Sequence, residues 1–210
     1  MAKKNIIRVF EGFAGYGGAS FGLKKAKIPH KVIGYSDIEQ EAIDLYEYNF
    51  PNIKNYGDIT KIEETKLPDF DLFTGGFPCQ PFSTVGKMLG ELDTRGTLFN
   101  DIIRICEYKK PRYILLENVK GLLGKKHRPT FDKIISELNR IGYINVQYAI
   151  LNSKDYGVPQ NRERLWIFGQ LGGLPEGFVL EPPHVELKYR IKDFLDKKPS
   201  EDLYRTQAQI

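Results

Sequence analysis

Residues 6–26 read "IIRVFEGFAGYGGASFGLKKA": a β-rich run, a turn holding Gly12, Gly15, Gly17 and Gly18, and then a helical stretch. A glycine-rich turn between a first strand and a first helix lets backbone approach a ligand at a helix N-terminus. It also fits a tight turn made only for packing, so the segment alone leaves both readings open. A dinucleotide fingerprint would require Gly-x-Gly-x-x-Gly. Gly15 and Gly17 satisfy it, but Ser20 holds the third position, which disfavours a dehydrogenase.

The alternation begun there continues. "KVIGYS" precedes "IEQEAIDLYEYNF", whose Ile38, Ala42, Leu45 and Tyr46 are expected on one face. "DLFTGG" leads, after a long loop, to "GTLFNDIIRICEY", and "YILLENV" leads to "TFDKIISELNRIGY". Two late strands, "NVQYAILNS" and "RLWIFGQ", lie close together. Strands alternating with helices predict an α/β domain over residues 1–170. Its sheet should be mostly parallel, with ligands at the carboxyl ends of the strands and an antiparallel edge from the last pair. Residues 171–210 change texture. "LGGLPEGFVLEPPHVE" is Gly/Pro-rich and reads as a linker, and the remainder predicts one short amphipathic helix with too little apolar material for a second core.

The chain has 210 residues, 41% hydrophobic and 28% charged, enough for one real core. No apolar run reaches membrane-span length and the N-terminus lacks a signal-peptide pattern, so a cytoplasmic protein is expected. Two cysteines, no Cys-x-x-Cys and three scattered histidines argue against structural zinc or any other metal site. A net charge of +4 fits an anionic partner without demanding one. The basic clusters "MAKK", "LKKAK", "YKKPR" and "KGLLGKKHR" add modest weight to a nucleic acid, although each also fits a solvated face.

Chemistry-bearing residues gather at strand ends. In "GGFPCQPFS" (75–83), Pro78 and Pro81 exclude helix and central strand around Cys79. Cys79 therefore stands at a strand tip on the ligand edge, where a thiolate can act as nucleophile. Cys106, on the apolar face of "DIIRICEY", reads instead as an ordinary buried thiol. Glu117 and Asn118 end the most apolar strand, which parallel topology brings beside the Cys79 edge. A carboxyl there suits proton donation, with Asn118 orienting it or accepting hydrogen bonds. A plain strand-end carboxylate remains the alternative. Asp37, after the second strand, is placed to accept ribose hydroxyls, and Asp58 in "YGDIT" to accept from an exocyclic amine; each also fits a cap or turn residue. Arg162 and Arg164 point to one side of an extended segment, as a clamp for phosphate or carbonyl oxygen or as surface ion-pair partners.

In this order, "PCQPFS", "ENV" and "QNRER" with the glycine turn closely resemble the C5-cytosine DNA methyltransferase family across residues 6–170. The resemblance implies a Rossmann-like methyltransferase fold, with helices on both faces of the sheet, and S-adenosyl-L-methionine as cofactor. It also implies DNA as partner, in a prokaryotic or phage setting. The cysteine matching Cys79 would attack carbon-6 of cytosine, and the glutamate matching Glu117 would interact with N3. Carbon-5 would take the methyl group, and loss of its proton with elimination of the thiol would restore the ring. The base must first be flipped out of the duplex. Phe13, Gly15, Gly17, Asp37, Ile38, Asp58, Ile59, Pro78 and Leu98 would border the cofactor. Arg162, Arg164 and Gln160 would face the substrate, and Gln80 and Ser83 would shape the active-site loop. The stretch from Pro81 to Arg95 would be the loop that closes over DNA, or else an ordinary surface loop. Asp37 stands where a glutamate is more usual.

Full-length single-chain members carry a target-recognition region and a closing segment that nothing here matches; residues 171–210 resemble the approach to that region. A split-enzyme subunit, a truncated product and an excised piece of a longer enzyme all fit. A complementing C-terminal partner is therefore expected, with little activity alone. Methylation of tRNA cytosine and a non-catalytic binding subunit stand as alternatives.

Overall fold

The computed structural model of the chain describes residues 6–78, 98–198 and 200. Among them, strands and helices alternate as β1 (Ile7–Gly12), α1 (Gly18–Lys25), β2 (His30–Ser36), α2 (Gln40–Asn49), β3 (Leu72–Gly76), α3 (Leu98–Lys109), β4 (Tyr113–Val119), α4 (Arg128–Arg140), β5 (Gln147–Asn152) and β6 (Glu163–Gln170). The strands form one sheet in the order β2-β1-β3-β4-β6-β5. The first four run parallel. At the far edge β6 runs antiparallel to β4, and β5 lies outermost, antiparallel to β6.

Successive strand residues face opposite sides, and β1 shows what each side buries. Phe10 stacks on Phe70 at 5.4 Å and joins a core with Ile59, Phe73, Phe99, Ile102, Ile114, Leu116, Phe131 and Ile134. That core contains the inner faces of α3 and α4. Its neighbour Glu11 turns to the other side, where Ser20 of α1 and Tyr46 of α2 bond to it. Helices thus cover both faces. Along α3 the buried Phe99, Ile102, Ile103, Ile105 and Cys106 follow helical spacing. Burial pushes the Cys106 thiol well above its ordinary value, consistent with an inert packing role.

Two expectations change. On α2 the buried side chain is Tyr46, with Ala42 and Ile43 half-buried, whereas Leu45 is exposed and Ile38 precedes the helix at 67% exposure. The stripe follows Tyr46, whose ring stacks on Tyr35 at 4.0 Å, rather than the aliphatic spacing. Among the described residues beyond Leu180, a 3-10 turn at Ile191–Phe194 stands in place of the expected short amphipathic helix, and residues 181–198 are exposed throughout. Tyr189, Ile191, Phe194 and Leu195 are more than half-exposed, and so short a helix is marginal without an apolar surface to pack on. No helix among the described residues is long and apolar enough to cross a membrane.

At the edge opposite the strand tips, Arg8 of β1 grips Asp71 just before β3, with Nε to Oδ2 at 3.0 Å and Nη2 to Oδ1 at 2.9 Å. This fork, with a further bond from the Arg8 amide, holds the Asp71 carboxyl below its ordinary 3.8. A depressed folded value means the fork stabilises above the unfolded pKa and is lost as pH falls through the folded one. Asp71→Asn is expected to cost about 1 kcal/mol or less near neutrality, given its partial exposure. Urea midpoints of variant and wild type should converge in acid.

Candidate active site

The carboxyl ends of β1 and β2 carry the glycine turn. Phe13, Gly15 and Gly17 adopt left-handed backbone, with φ of 53°, 55° and 89°. The Gly15 amide donates to Asp37 Oδ2 at 2.7 Å, and the Ala14 amide to the Ser36 carbonyl at 3.1 Å, which sews the turn to the end of β2. Asp37 Oδ1 accepts from the amides of Ile38 and Glu39 at 2.8 and 3.0 Å. A carboxylate has about four acceptor positions, so the described donors engage three and leave one open.

Asn55 carries the connection onward. Its Oδ1 accepts from the Asp37 and Gly57 amides, and Nδ2 donates to the Asp37 carbonyl. Ser36 Oγ adds a 2.6 Å bond to the Gly57 carbonyl. Asp58 follows directly and caps the 3-10 turn Ile59–Lys61, accepting from the Thr60 amide and hydroxyl at 3.0 and 2.8 Å. Those two bonds, with Lys61 nearby, lower its pKa. Ile59 is buried, and its Cδ1 lies 3.4 Å from where a Cβ on Gly12 would stand. Phe13, Gly15, Gly17, Asp37, Ile38, Asp58 and Ile59 therefore share one connected rim. Pro78 is exposed beyond β3, and Leu98 opens α3, packed against the core.

Glu11, Asn55 and Ser36 carry much of this rim and were not singled out from the sequence, and Ser20 was noted there only as a departure from the dinucleotide fingerprint. Glu11 is 1% exposed and accepts from Ser20 Oγ at 2.9 Å and from Tyr46 Oη at 2.5 Å. Burial raises its pKa, against the two hydroxyl donors. Ser20, where the dinucleotide fingerprint wants glycine, is itself fully buried and supplies one of those donors. The signal was visible as an acid directly after the apolar Val9 and Phe10 within a strand.

At the next tips, β3 and β4 pair with Gly76 opposite Glu117. Phe77 is buried against Phe99 at 5.5 Å, and its carbonyl accepts from Asn118 Nδ2 at 3.0 Å. Asn118 Oδ1 accepts from the Val119 amide. Asn118 thus fixes the exit of β3, on the face away from Glu117, instead of orienting that carboxyl. Glu117 Oε1 receives Arg164 Nε at 2.9 Å, with Arg162 Nη2 at 4.0 Å. The register explains this: Arg164 pairs with Val119, two residues from Glu117 and on its face. Gln160 is exposed in the loop before β6. Cys79, Gln80, Ser83 and the stretch from Pro81 to Arg95 lie outside the described residues. Among the described residues, no group of His, Cys, Asp or Glu could hold a metal ion.

The two left-handed glycines should respond differently to alanine. Open space surrounds Gly15, so Gly15→Ala should cost about 1 kcal/mol of backbone strain. A Cβ at Gly17 would stand 2.5 Å from the Phe50 ring, so Gly17→Ala should cost roughly 1–3 kcal/mol more, read by urea denaturation.

Comparison with known proteins bears on this geometry. The family model for C-5 cytosine-specific DNA methylase matches residues 7–210. The chain is 34% identical to the type II methyltransferase M2.ScrFI of Lactococcus lactis subsp. cremoris, over 98% of its own length and 72% of that protein's. It is 38% identical to M.NlaIV of Neisseria lactamica, spanning 97% of itself but 53% of that relative. Among solved structures, the S. pombe Dnmt2 methyltransferase superposes with a TM-score of 0.76 at 27% identity, covering 94% of this chain and 63% of that one. The family model spans nearly the whole chain, so this protein belongs to the C-5 cytosine-specific DNA methylase family.

Proposed function

We propose that this chain carries the cofactor-binding and catalytic part of a DNA cytosine-5 methyltransferase. The observation that carries this reading is the Glu117 carboxyl, held by Arg164 and Arg162 opposite Gly76, three residues before Cys79 on the neighbouring strand. In this reading Cys79 is the nucleophile. Its thiolate adds to carbon-6 of a flipped cytosine, breaking the 5,6 double bond and moving the electron pair toward carbon-5. Glu117 bonds the ring at N3 and stabilises charge there, while the two arginines hold the carboxyl and the flipped nucleotide. Asn118 fixes the Phe77 carbonyl, two residues before Cys79 in the sequence.

The rim fits S-adenosyl-L-methionine. Asp37 keeps an acceptor position for a ribose hydroxyl, Asp58 offers a carboxylate to an exocyclic amine, and the backbone at Gly15 is open to approach. When bound, that cofactor supplies the methyl group. Phe13, Gly17, Ile38, Ile59, Pro78 and Leu98 complete its surroundings in this reading. We take residues 1–170 as the catalytic unit and 171–210 as a linker toward a recognition region. The exposed Tyr189, Ile191, Phe194 and Leu195 are the surface expected to meet that region or a complementing partner. The curated relatives named come from bacteria, and others from Bacillus phages, which supports a prokaryotic cytoplasm as the setting.

Duplex DNA containing 5-fluorocytosine tests the mechanism, because the carbon-5 proton whose loss releases the enzyme is absent. With cofactor and a complementing C-terminal segment, the wild-type chain should form a denaturation-resistant adduct, and Cys79→Ala should form none. Cys106→Ala should still form it, at a stability cost on the order of 1–2 kcal/mol. No adduct from wild type would favour a binding module, and greater turnover on tRNA than on duplex DNA would redirect the substrate. By itself the chain should turn over duplex DNA slowly or not at all; ordinary rates from purified monomer would remove the need for a partner.

A further inference from the structure

Arg104 lies on α3, outside the rim, yet its guanidinium ties down the segment that presents Asp58. Nη2 donates to the Ile59 carbonyl at 3.1 Å and Nη1 to the Ile62 carbonyl at 2.7 Å. Nη1 also pairs with Glu64, and Asp101 Oδ1 receives Nε and Nη2 at 3.3 and 3.1 Å. Ile59 is the first residue of the 3-10 turn that Asp58 caps and Ile62 is its C-cap, so the guanidinium spans the turn from end to end. A cation facing the carbonyl end of a turn is favourable, and a planar fork can bridge two carbonyls where a point charge cannot. Asp58 bonds within its own turn, to Thr60 and Lys61. Its place on the rim is therefore set by whatever holds that turn.

We propose that Arg104 is a positioning residue for adenine recognition, holding the 58–62 turn so that the Asp58 carboxylate meets the exocyclic amine. This rests on the reading of Asp58 given above. Arg104 touches neither the cofactor nor the reacting atoms, so its loss should weaken selection of the adenine ring and leave the chemical step alone.

Calorimetric titration with S-adenosylhomocysteine and with its inosine counterpart, in which a carbonyl replaces the amine, separates this role from general stabilisation. Wild type should prefer the adenine form by ~10-fold, the worth of one well-made hydrogen bond. Arg104→Gln should bring the two affinities close together by weakening the adenine form, and Arg104→Lys should lose part of the preference. Arg140→Gln, which breaks the contact from α4 to Glu107 of α3 and the one within α4 to Glu137, should keep it. If a thermal melt shows Arg104→Gln unfolded, Arg104→Lys decides. An unchanged preference in the folded Arg104 variants, or an equal loss in Arg140→Gln, overturns the inference while the Asp58 reading stands. A wild type that binds neither form, or both alike, overturns that reading and this inference with it.

Discussion

The pairing of β3 with β4 governs what the site can be. Because these strands run parallel, their carboxyl ends reach the same edge, and the register sets Gly76 against Glu117. Asn118 fixes that meeting from the opposite face by taking the Phe77 carbonyl. A one-residue slip would send Glu117 into the core and Asn118 to the rim, since side-chain facing inverts with each residue. The antiparallel β6 then contributes by its beginning rather than its end. An antiparallel neighbour presents its first residues where parallel strands present their last, so Arg162 and Arg164 arrive beside Glu117 from the start of a strand.

Acids on the rim are stabilised by different means, and the means match the tasks proposed for them. Glu117 is held by guanidinium groups, which keep it in place while leaving Oε2 toward the side of Gly76. Asp37 is held by three backbone amides and closes the glycine turn onto β2. Asp58 is held within its own turn. Glu11 differs from all three: it is buried, bonded to the Ser20 and Tyr46 hydroxyls, and pushed toward its neutral form by burial. An acid in that condition belongs to the framework. It links β1 to α1 and α2 on the face opposite the main core.

Two clamps thus brace the rim proposed for the cofactor from opposite faces of the sheet. Glu11 joins both helices of one face to the strand that leads into the glycine turn. Arg104 joins α3, on the other face, to the turn that carries Asp58. Neither needs to touch a ligand. Each restricts where backbone donors and carboxylates can stand, and recognition by few hydrogen bonds depends on that restriction.

The period-2 and helical patterns determined by themselves that strands and helices alternate and where "YILLENV" begins and ends, because those follow from local hydrophobic spacing. The Arg162–Arg164 alternation likewise put both guanidiniums on one side without coordinates. What no local pattern could supply was which side chain meets which. Asn118 turned to Phe77, Ser20 and Tyr46 converged on Glu11, and Arg104 reached back more than forty residues to Ile59 and Ile62. Those pairings depend on register and on which face of the sheet each helix covers. Both are set by the packing of the whole chain, so only the tertiary structure decided them.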